Sequence, residues 1–245
     1  LSEYKDVTLE LGGTLFTTGL TAFQVLLHKY FDLHHPATAI PVSLRSSTEE
    51  RMIGFLANVL PLISHVDTNK TLFELHENIQ DLVFSLIENR NISSGEINNM
   101  VNRMKKSTYH SMTQCVFDLG FEDNSLENTL IKQTSINTEY DFLAKVIIKD
   151  EAVYFETNVD QAILDSQVIA ELHQSFDKII QALRVDMNQA LSDVNILPDA
   201  QLQTVLESLK ISSSFLNADE ARSPLFKEFK SDKLAISFND FSITY

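Results

Sequence analysis

Between Thr14 and Tyr30 the apolar side chains Phe16, Leu20, Phe23, Leu27 and Tyr30 recur in alternating steps of four and three. Steps of that kind return to one side of an α-helix at every turn, so the segment predicts a helix with one continuous buried stripe. Gly12-Gly13 ends whatever precedes it, and Thr14 can cap the helix start. Two further stripes follow. Thr71 opens a helix carrying Leu72, Leu75, Ile79, Leu82 and Leu86, and Asp165-Ser166 opens another carrying Ile169, Leu172, Phe176, Ile179 and Leu183. A shorter helix is expected from Ser94 to Met104, and a final one from Asp199 to Leu209. The stripes from Phe16 to Tyr30 and from Ile169 to Leu183 are read as core.

Between these helices the period changes to two. The run TAIPVSL sets Ile40, Val42 and Leu44 on one side of a strand, with Pro41 pointing to an edge or a bulge. VLPLISHV near 59–66 and TQCVFDLGF near 113–121 read as strands. FLAKVIIK and AVYFETNV read as an antiparallel hairpin joined through Lys149-Asp150-Glu151-Ala152. The polar, Asn-rich stretch Glu122 to Thr138 reads as a loop. Long helices mixed with strands in this order describe an α/β fold, a mixed sheet covered by helices. At 245 residues and 44% hydrophobic content, the chain can bury one substantial core with a smaller attached element.

Composition narrows the partners. A formal charge of -15, with no extended Lys or Arg cluster, sets nucleic acid and anionic membranes aside. The single cysteine, Cys115, excludes an internal disulfide, no Cys/His spacing suits zinc, and a reducing cytoplasmic compartment is expected. With six glycines and no GxGxxG or GxxxxGK[ST] run, nucleotide binding by this chain is not expected. From Lys210 the segment KISSSFLNADEARSP loses apolar periodicity and reads as a linker; beyond it LAISF and FSITY flank Asn239-Asp240 as a hairpin. A hairpin of that size is marginal alone. The start at Leu1 and the stop at Tyr245 are read as cuts from something larger.

Taken in order, these residues resemble the second half of a nonribosomal peptide synthetase condensation domain. TLFTTGLTAFQVLLHKY is similar to the family helix TLFxxLLAAFxxLLxRY, and AIPVSLR to its strand GTPVxxR. IGFLANVLPL resembles IGxFVNTLPL, with Gly54, Phe55, Asn58, Leu60, Pro61 and Leu62 in place. TLFELHENIQDLV, YDFLAKV and the block YFETNVDQAILDSQVIAELHQSFDKII match TFxELLxxVRxxx, FDLTLxx and YxTDLFDxxTIxRLxxHFxxLL. NILPDAQLQTVLESL resembles the exit segment, while LFKEFK and LAISFNDFSITY look like the opening of an adenylation domain. Seven blocks in the right order are far more specific than any one of them. Two depart from the pattern: ENRNISSGEI stands where the family carries an HQDxPFE-like segment, and KKSTYHSMTQCVFDL keeps the spacing of RDxSRxPLFQVMF without its polar signature.

The resemblance implies a chloramphenicol acetyltransferase-like half-body. It assigns 1–197 to the C-terminal lobe of a condensation domain, 198–222 to a final helix and linker, and 223–245 to the start of an adenylation domain. The family's HHxxxDG motif belongs to the other lobe, so no catalytic residue is assigned here, and the fragment alone is expected to be inactive. His34-His35 begins like that motif, but Pro36-Ala37-Thr38-Ala39-Ile40 lacks its Asp and Gly, and the pair reads as a solvated loop before a strand. Arg45 and Asn58 fall on family positions near the lobe interface and are the candidate substrate-binding residues; Asp141 matches a structural Asp. Implied partners are the N-terminal lobe, peptidyl and aminoacyl carrier proteins with their phosphopantetheine arms, and an adenylation domain using ATP and Mg. The alternative is a noncatalytic platform that docks a carrier protein or a tailoring enzyme.

Overall fold

The computed structural model describes residues 2–49, 51–54, 56–105, 114–121, 140–159, 162–198, 201–203, 207, 234–238 and 241–244. They fall into two compact units, Leu1–Pro198 and Asp199–Tyr245. In the first unit the order is α1 (Ser2–Glu10), α2 (Leu15–Phe31), β1 (Ala37–Ser43), β2 (Ala57–Ile63), α3 (Leu72–Glu88), α4 (Ser94–Lys105), β3 (Cys115–Phe121), β4 (Phe142–Lys149), β5 (Ala152–Val159) and α5 (Ser166–Val185). The second unit contains β6 (Leu234–Phe238) and β7 (Phe241–Thr244), an antiparallel hairpin where one was expected. The loop expected at 122–138, the linker at 210–222 and the segment LFKEFK lie outside the described residues. Of the final helix expected from Asp199 to Leu209, only 201–203 and 207 are described, and they are helical.

The sheet is mixed, in the order β2-β1-β3-β4-β5; β1 with β3 and β3 with β4 run parallel, and the outer pairs run antiparallel. The β4–β5 hairpin turns through Asp150 and Glu151, both at positive φ (48° and 58°), as the two central positions of a primed two-residue turn require. Pro41 sits in a strand that is second from the sheet edge, not on it. Its place is explained by the ladder. Leu44 N–H donates to Leu56 and Val66 N–H to His34, so with Cα partners summing to 100 the hydrogen-bonded pairs fall on even β1 numbers. Pro41 pairs with Val59 between them, and the N–H it lacks would point away from β2. On that other side β1 meets β3 at Ala39 and Val116 alone, so Pro41 interrupts no bond there.

Helix α2 is the centre of the first unit: residues 17 to 28 are all buried. Its apolar stripe meets the sheet through Phe23, whose ring stacks on Phe117 at 5.3 Å and on Phe142 at 5.9 Å. α5 closes the far end with Phe176 stacked on Phe155 at 3.9 Å. Leu172, Phe176, Ile179 and Leu183 of its expected stripe are buried, while Ile169 is half-buried near the helix start. The caps are local chemistry. Thr14 and Thr17 form a reciprocal box at the start of α2, Thr71 and Glu74 form one at α3, and Asp165 accepts from Gln167 and Val168 N–H at α5. The first amides of α3 are satisfied by the chain leaving α5: Leu72 N–H donates to Gln189 and Phe73 N–H to Met187. No described helix is long and apolar enough to cross a membrane.

Candidate functional site

The two candidate binding residues lie at the loop end of the β1–β2 hairpin and hold two different loops. Arg45, two residues past β1, directs Nη2 at the carbonyls of Met52 (3.1 Å) and Gly54 (3.0 Å) across the loop 44–56. At the loop's other bend, Ser46 donates from N–H (3.0 Å) and Oγ (2.7 Å) to Glu49 Oε2; those two bonds, helped by the charge of Arg45, hold the Glu49 carboxyl below its ordinary range. So braced, the loop leaves Ile53 fully exposed and Met52 half-exposed. The guanidinium thus grips its own hairpin through two neutral acceptors.

Asn58 lies on β2, the sheet edge, and clasps that edge to the α3–α4 connection. Its Nδ2 donates to the carbonyls of Arg90 (2.9 Å) and Ile92 (2.7 Å), and its Oδ1 accepts from Val59 N–H (3.0 Å). Beside this clasp is an open cleft of about 260 Å³ between β2, α3 and α4, walled by Leu60, Leu62, Leu82, Leu86, Ile92 and Ile97, with Ser85 and Asn89 as its polar atoms. The connection Asn58 holds is ENRNISSGEI, the segment where the sequence departs most from the family pattern. Asp141, the third candidate, is exposed immediately before β4.

Sequence reasoning missed a buried polar system alongside α2. Thr17, Thr21, Gln24 and His28 repeat at steps of four, three and four, the same rhythm as the apolar stripe and one residue behind its successive members from Phe16 to Leu27, and all four are buried. Gln24 donates from Nε2 to Thr38 Oγ1 on β1 and accepts at Oε1 from Ser64 Oγ, both at 2.9 Å. Thr21 Oγ1 meets His76 Nδ1 at 2.9 Å, and Gln80 Nε2 meets His76 Nε2 at 2.6 Å. Burial pulls the His76 pKa down to about 4. That imidazole is fully enclosed and joins α2 to α3; it faces no opening through which a substrate enters. The signal was present as a second helical stripe of polar residues, which on a surface helix would merely face water.

Other titratable groups are placed by packing. Burial drives the Cys115 thiol up to about 12 against a hydrogen bond from Thr38, so it is not a thiolate nucleophile. Burial also lowers His173, opposed by Asp177 and Glu156, while its Nε2 lies 3.0 Å from Thr157 Oγ1. Tyr30 donates to Glu171 at 2.9 Å, and burial, that bond and the nearby carboxylates raise it to about 12. His34 and His35 are exposed in the turn before β1, as a solvated loop requires. Among the described residues no group of three or more His, Cys, Asp and Glu side chains is arranged to hold a metal ion. What the described surface offers is a braced loop and an apolar cleft, elements that position rather than react.

A family profile described as Condensation domain matches residues 2–206. Bacitracin synthase 1 of Bacillus licheniformis is 20% identical over 96% of this chain, which spans 5% of that protein's length. Two solved structures share the fold. A holo four-domain nonribosomal peptide synthetase bound to AMP and glycine superposes with a TM-score of 0.67 at 15% identity, over 82% of this chain and 17% of that one. The first condensation domain of the CDA synthetase gives 0.62 at 12% identity, over 80% of this chain and 45% of that one.

Proposed function

The chain belongs to the condensation-domain family, and from that premise we propose that residues 1–197 are the C-terminal lobe of such a domain in a nonribosomal peptide synthetase, forming the acceptor-side wall of its reaction chamber. One observation supports a single lobe, since four-fifths of this chain superposes on less than half of a solved condensation domain; the order of the sequence blocks from TLFTTGLTAFQVLLHKY to NILPDAQLQTVLESL favours the C-terminal one. In the proposed reaction the amine of a carrier-bound aminoacyl group attacks the thioester carbonyl of a carrier-bound acyl group. The C–N bond forms, the C–S bond breaks, and the upstream pantetheine leaves as a thiol. The base for the amine proton belongs to the N-terminal lobe. This lobe's contribution is orientation, which can supply a large part of such a rate.

In this reading Arg45 and Asn58 act on substrate through the loops they fix. Arg45 sets the loop 44–56 and Asn58 sets 89–93 beside the apolar cleft, so the acceptor arm meets a shaped wall. The partners proposed are the N-terminal lobe, carrier proteins bearing phosphopantetheine, and an adenylation domain that begins near residue 223 and uses ATP and Mg beyond Tyr245; the β6–β7 hairpin fits that onset. The setting proposed is the cytosol.

The test is single-turnover amide formation by the intact module with both carriers loaded. Asn58→Leu removes the donor shared by the Arg90 and Ile92 carbonyls and loosens the α3–α4 connection. It is expected to lower kcat/KM for the acceptor carrier by about tenfold, within what small misplacements at a reaction centre cause, with aminoacyl loading unchanged. An undiminished rate would remove the acceptor-wall assignment. Carrier binding without any amide formation by the unaltered module would instead support the docking platform, the reading motivated by the divergent 88–97 segment.

A further inference from the structure

Four of the seven histidines, His28, His34, His35 and His65, gather where α2 ends and the β1–β2 hairpin begins. They form two separate pairs. His28 is buried and its Nδ1 lies 3.0 Å from the Leu33 carbonyl, with the His34 ring 5.4 Å away. The other pair, His35 and His65, is exposed, with ring centroids 4.7 Å apart and planes 23° from parallel.

The backbone explains why these two rings meet. The β1–β2 register continues below Ala37 and Ile63, since Ser64 N–H donates to Pro36 and Val66 N–H to His34. His35 and His65 are therefore directly opposite, in the pair between those bonds. Such non-hydrogen-bonded pairs bring Cα atoms to about 4.5 Å and side chains closest. Both imidazoles leave the ladder on the same side.

We propose that His35 and His65 form a two-imidazole chelate for a borderline divalent cation such as Zn²⁺, Ni²⁺ or Cu²⁺, with water completing the coordination shell. Imidazole is the ligand these ions share. Bonds of about 2.0–2.1 Å from a metal to each nitrogen place two adjacent nitrogens about 3 Å apart. The ring centroids are already 4.7 Å apart and both rings are exposed, so the adjustment the chelate asks for is a turn of each ring about its Cβ–Cγ bond. The ladder fixes the two Cα atoms beforehand, which is the preorganisation a two-ligand site needs. Asp67, two residues beyond His65, adds an anionic field. Its Oδ1 accepts from Asn69 N–H (3.0 Å) and Nδ2 (3.1 Å). The chain's charge of -15 draws cations generally, and the imidazole pair selects among them. The proposal is independent of the condensation reading, because the pair lies at the opposite end of the hairpin from Arg45 and Asn58.

Equilibrium dialysis of the intact protein against Ni²⁺ tests it, comparing the unaltered chain with His35→Gln, His65→Gln and, as a control on the other pair, His34→Gln. Both ligand substitutions are expected to abolish the same single equivalent of Ni²⁺ per chain, weakening it at least about tenfold because two tethered ligands bind far better than one. His34→Gln should leave it unchanged, and excess Zn²⁺ should displace it. The exposed positions let all three variants fold, which a denaturation curve checks directly. Loss with only one of the two substitutions would show a single monodentate histidine and overturn the chelate, as would undiminished binding in both or no difference from background in the unaltered protein.

Discussion

Gly19→Ala is expected to cost the first unit about 2 kcal/mol, and Gly19→Leu to prevent its folding. Gly19 is the point where the central helix comes closest to three neighbours at once. A Cβ there would lie 2.6 Å from Tyr4 Oη on α1, 3.0 Å from Phe117 Cζ on β3 and 3.2 Å from Val146 Cγ2 on β4. None of the three gives way freely. Phe117 is fully buried and ringed by Phe16 and Phe23, Val146 lies inside the β4 ladder, and the Tyr4 hydroxyl donates to the Leu15 carbonyl at 2.8 Å. Burial pushes that phenol's pKa well up, so its proton stays in place at any pH of interest. Overpacking costs about 1–3 kcal/mol and an orphaned buried hydroxyl about 1–3 more. The gain in helix propensity from Gly to Ala, about 1 kcal/mol, offsets only part. Urea unfolding should show the midpoint drop by roughly 1 M. Adding Tyr4→Phe to Gly19→Ala should restore part of the loss, a coupling a double-mutant cycle reads directly. A Gly19→Ala chain as stable as the original would mean the helix slides to make room.

That glycine also marks the limit of what the chain discloses before it folds. The elements were legible wherever one periodicity dominated: α2, α3 and α5 start where Thr14, Thr71 and Asp165 cap them, the β4–β5 hairpin turns at 149–152 where turn residues stand, and β6 pairs with β7 as expected. The mixed sheet and its helical cover followed from that order. α1 was not legible, because SEYKDVTLE carries a weak stripe and is ordered by Tyr4, Val7 and Leu11 packing on α2 and α5. Nor was the strand order, since nothing local says that β1 sits between β2 and β3. Pro41 suggested an edge for a sound reason, and only the register explains why an inner strand tolerates it.

The candidate site was legible as addresses and not as contacts. Family spacing singled out Arg45 and Asn58, but which carbonyls they grip depends on how the loop 44–56 and the α3–α4 connection return to the hairpin. A polar stripe on α2 could be read either as a wet face or as a buried one, and that choice rests on α3 and β1 covering it. His35 and His65 lie thirty residues apart and meet only through a ladder that continues past both strand ends.

Acid is expected to weaken the fold through His76 before the exposed carboxylates titrate. The imidazole bonds form a one-way chain: Gln80 Nε2–H donates to His76 Nε2, His76 Nδ1–H to Thr21 Oγ1, and the Thr21 hydroxyl to the Thr17 carbonyl. Every member is neutral. A second proton on Nε2 would point at the Gln80 amide hydrogens, and burial of the ring holds the folded pKa near 4 against about 6.5 unfolded. Between those values the unfolded chain binds a proton that the folded chain refuses. Stability is thus complete above about pH 6.5 and declines as pH falls toward 4, by up to about 3 kcal/mol for this one group. His173, also lowered by burial, adds a slope of the same sign, while Asp177, raised by burial, contributes one of opposite sign. The His76 share is isolated by comparison. Urea midpoints at pH 7.5, 5.5 and 4.5 should fall steeply for the unaltered chain and distinctly less for His76→Gln, whatever that variant loses at pH 7.5. Gln80→Glu should also flatten the decline, because a carboxylate at the position now 2.6 Å from Nε2 stabilises the imidazolium. An unchanged slope in both variants would place the acid sensitivity elsewhere and leave the imidazole as an ordinary hydrogen-bonded spacer between α2 and α3.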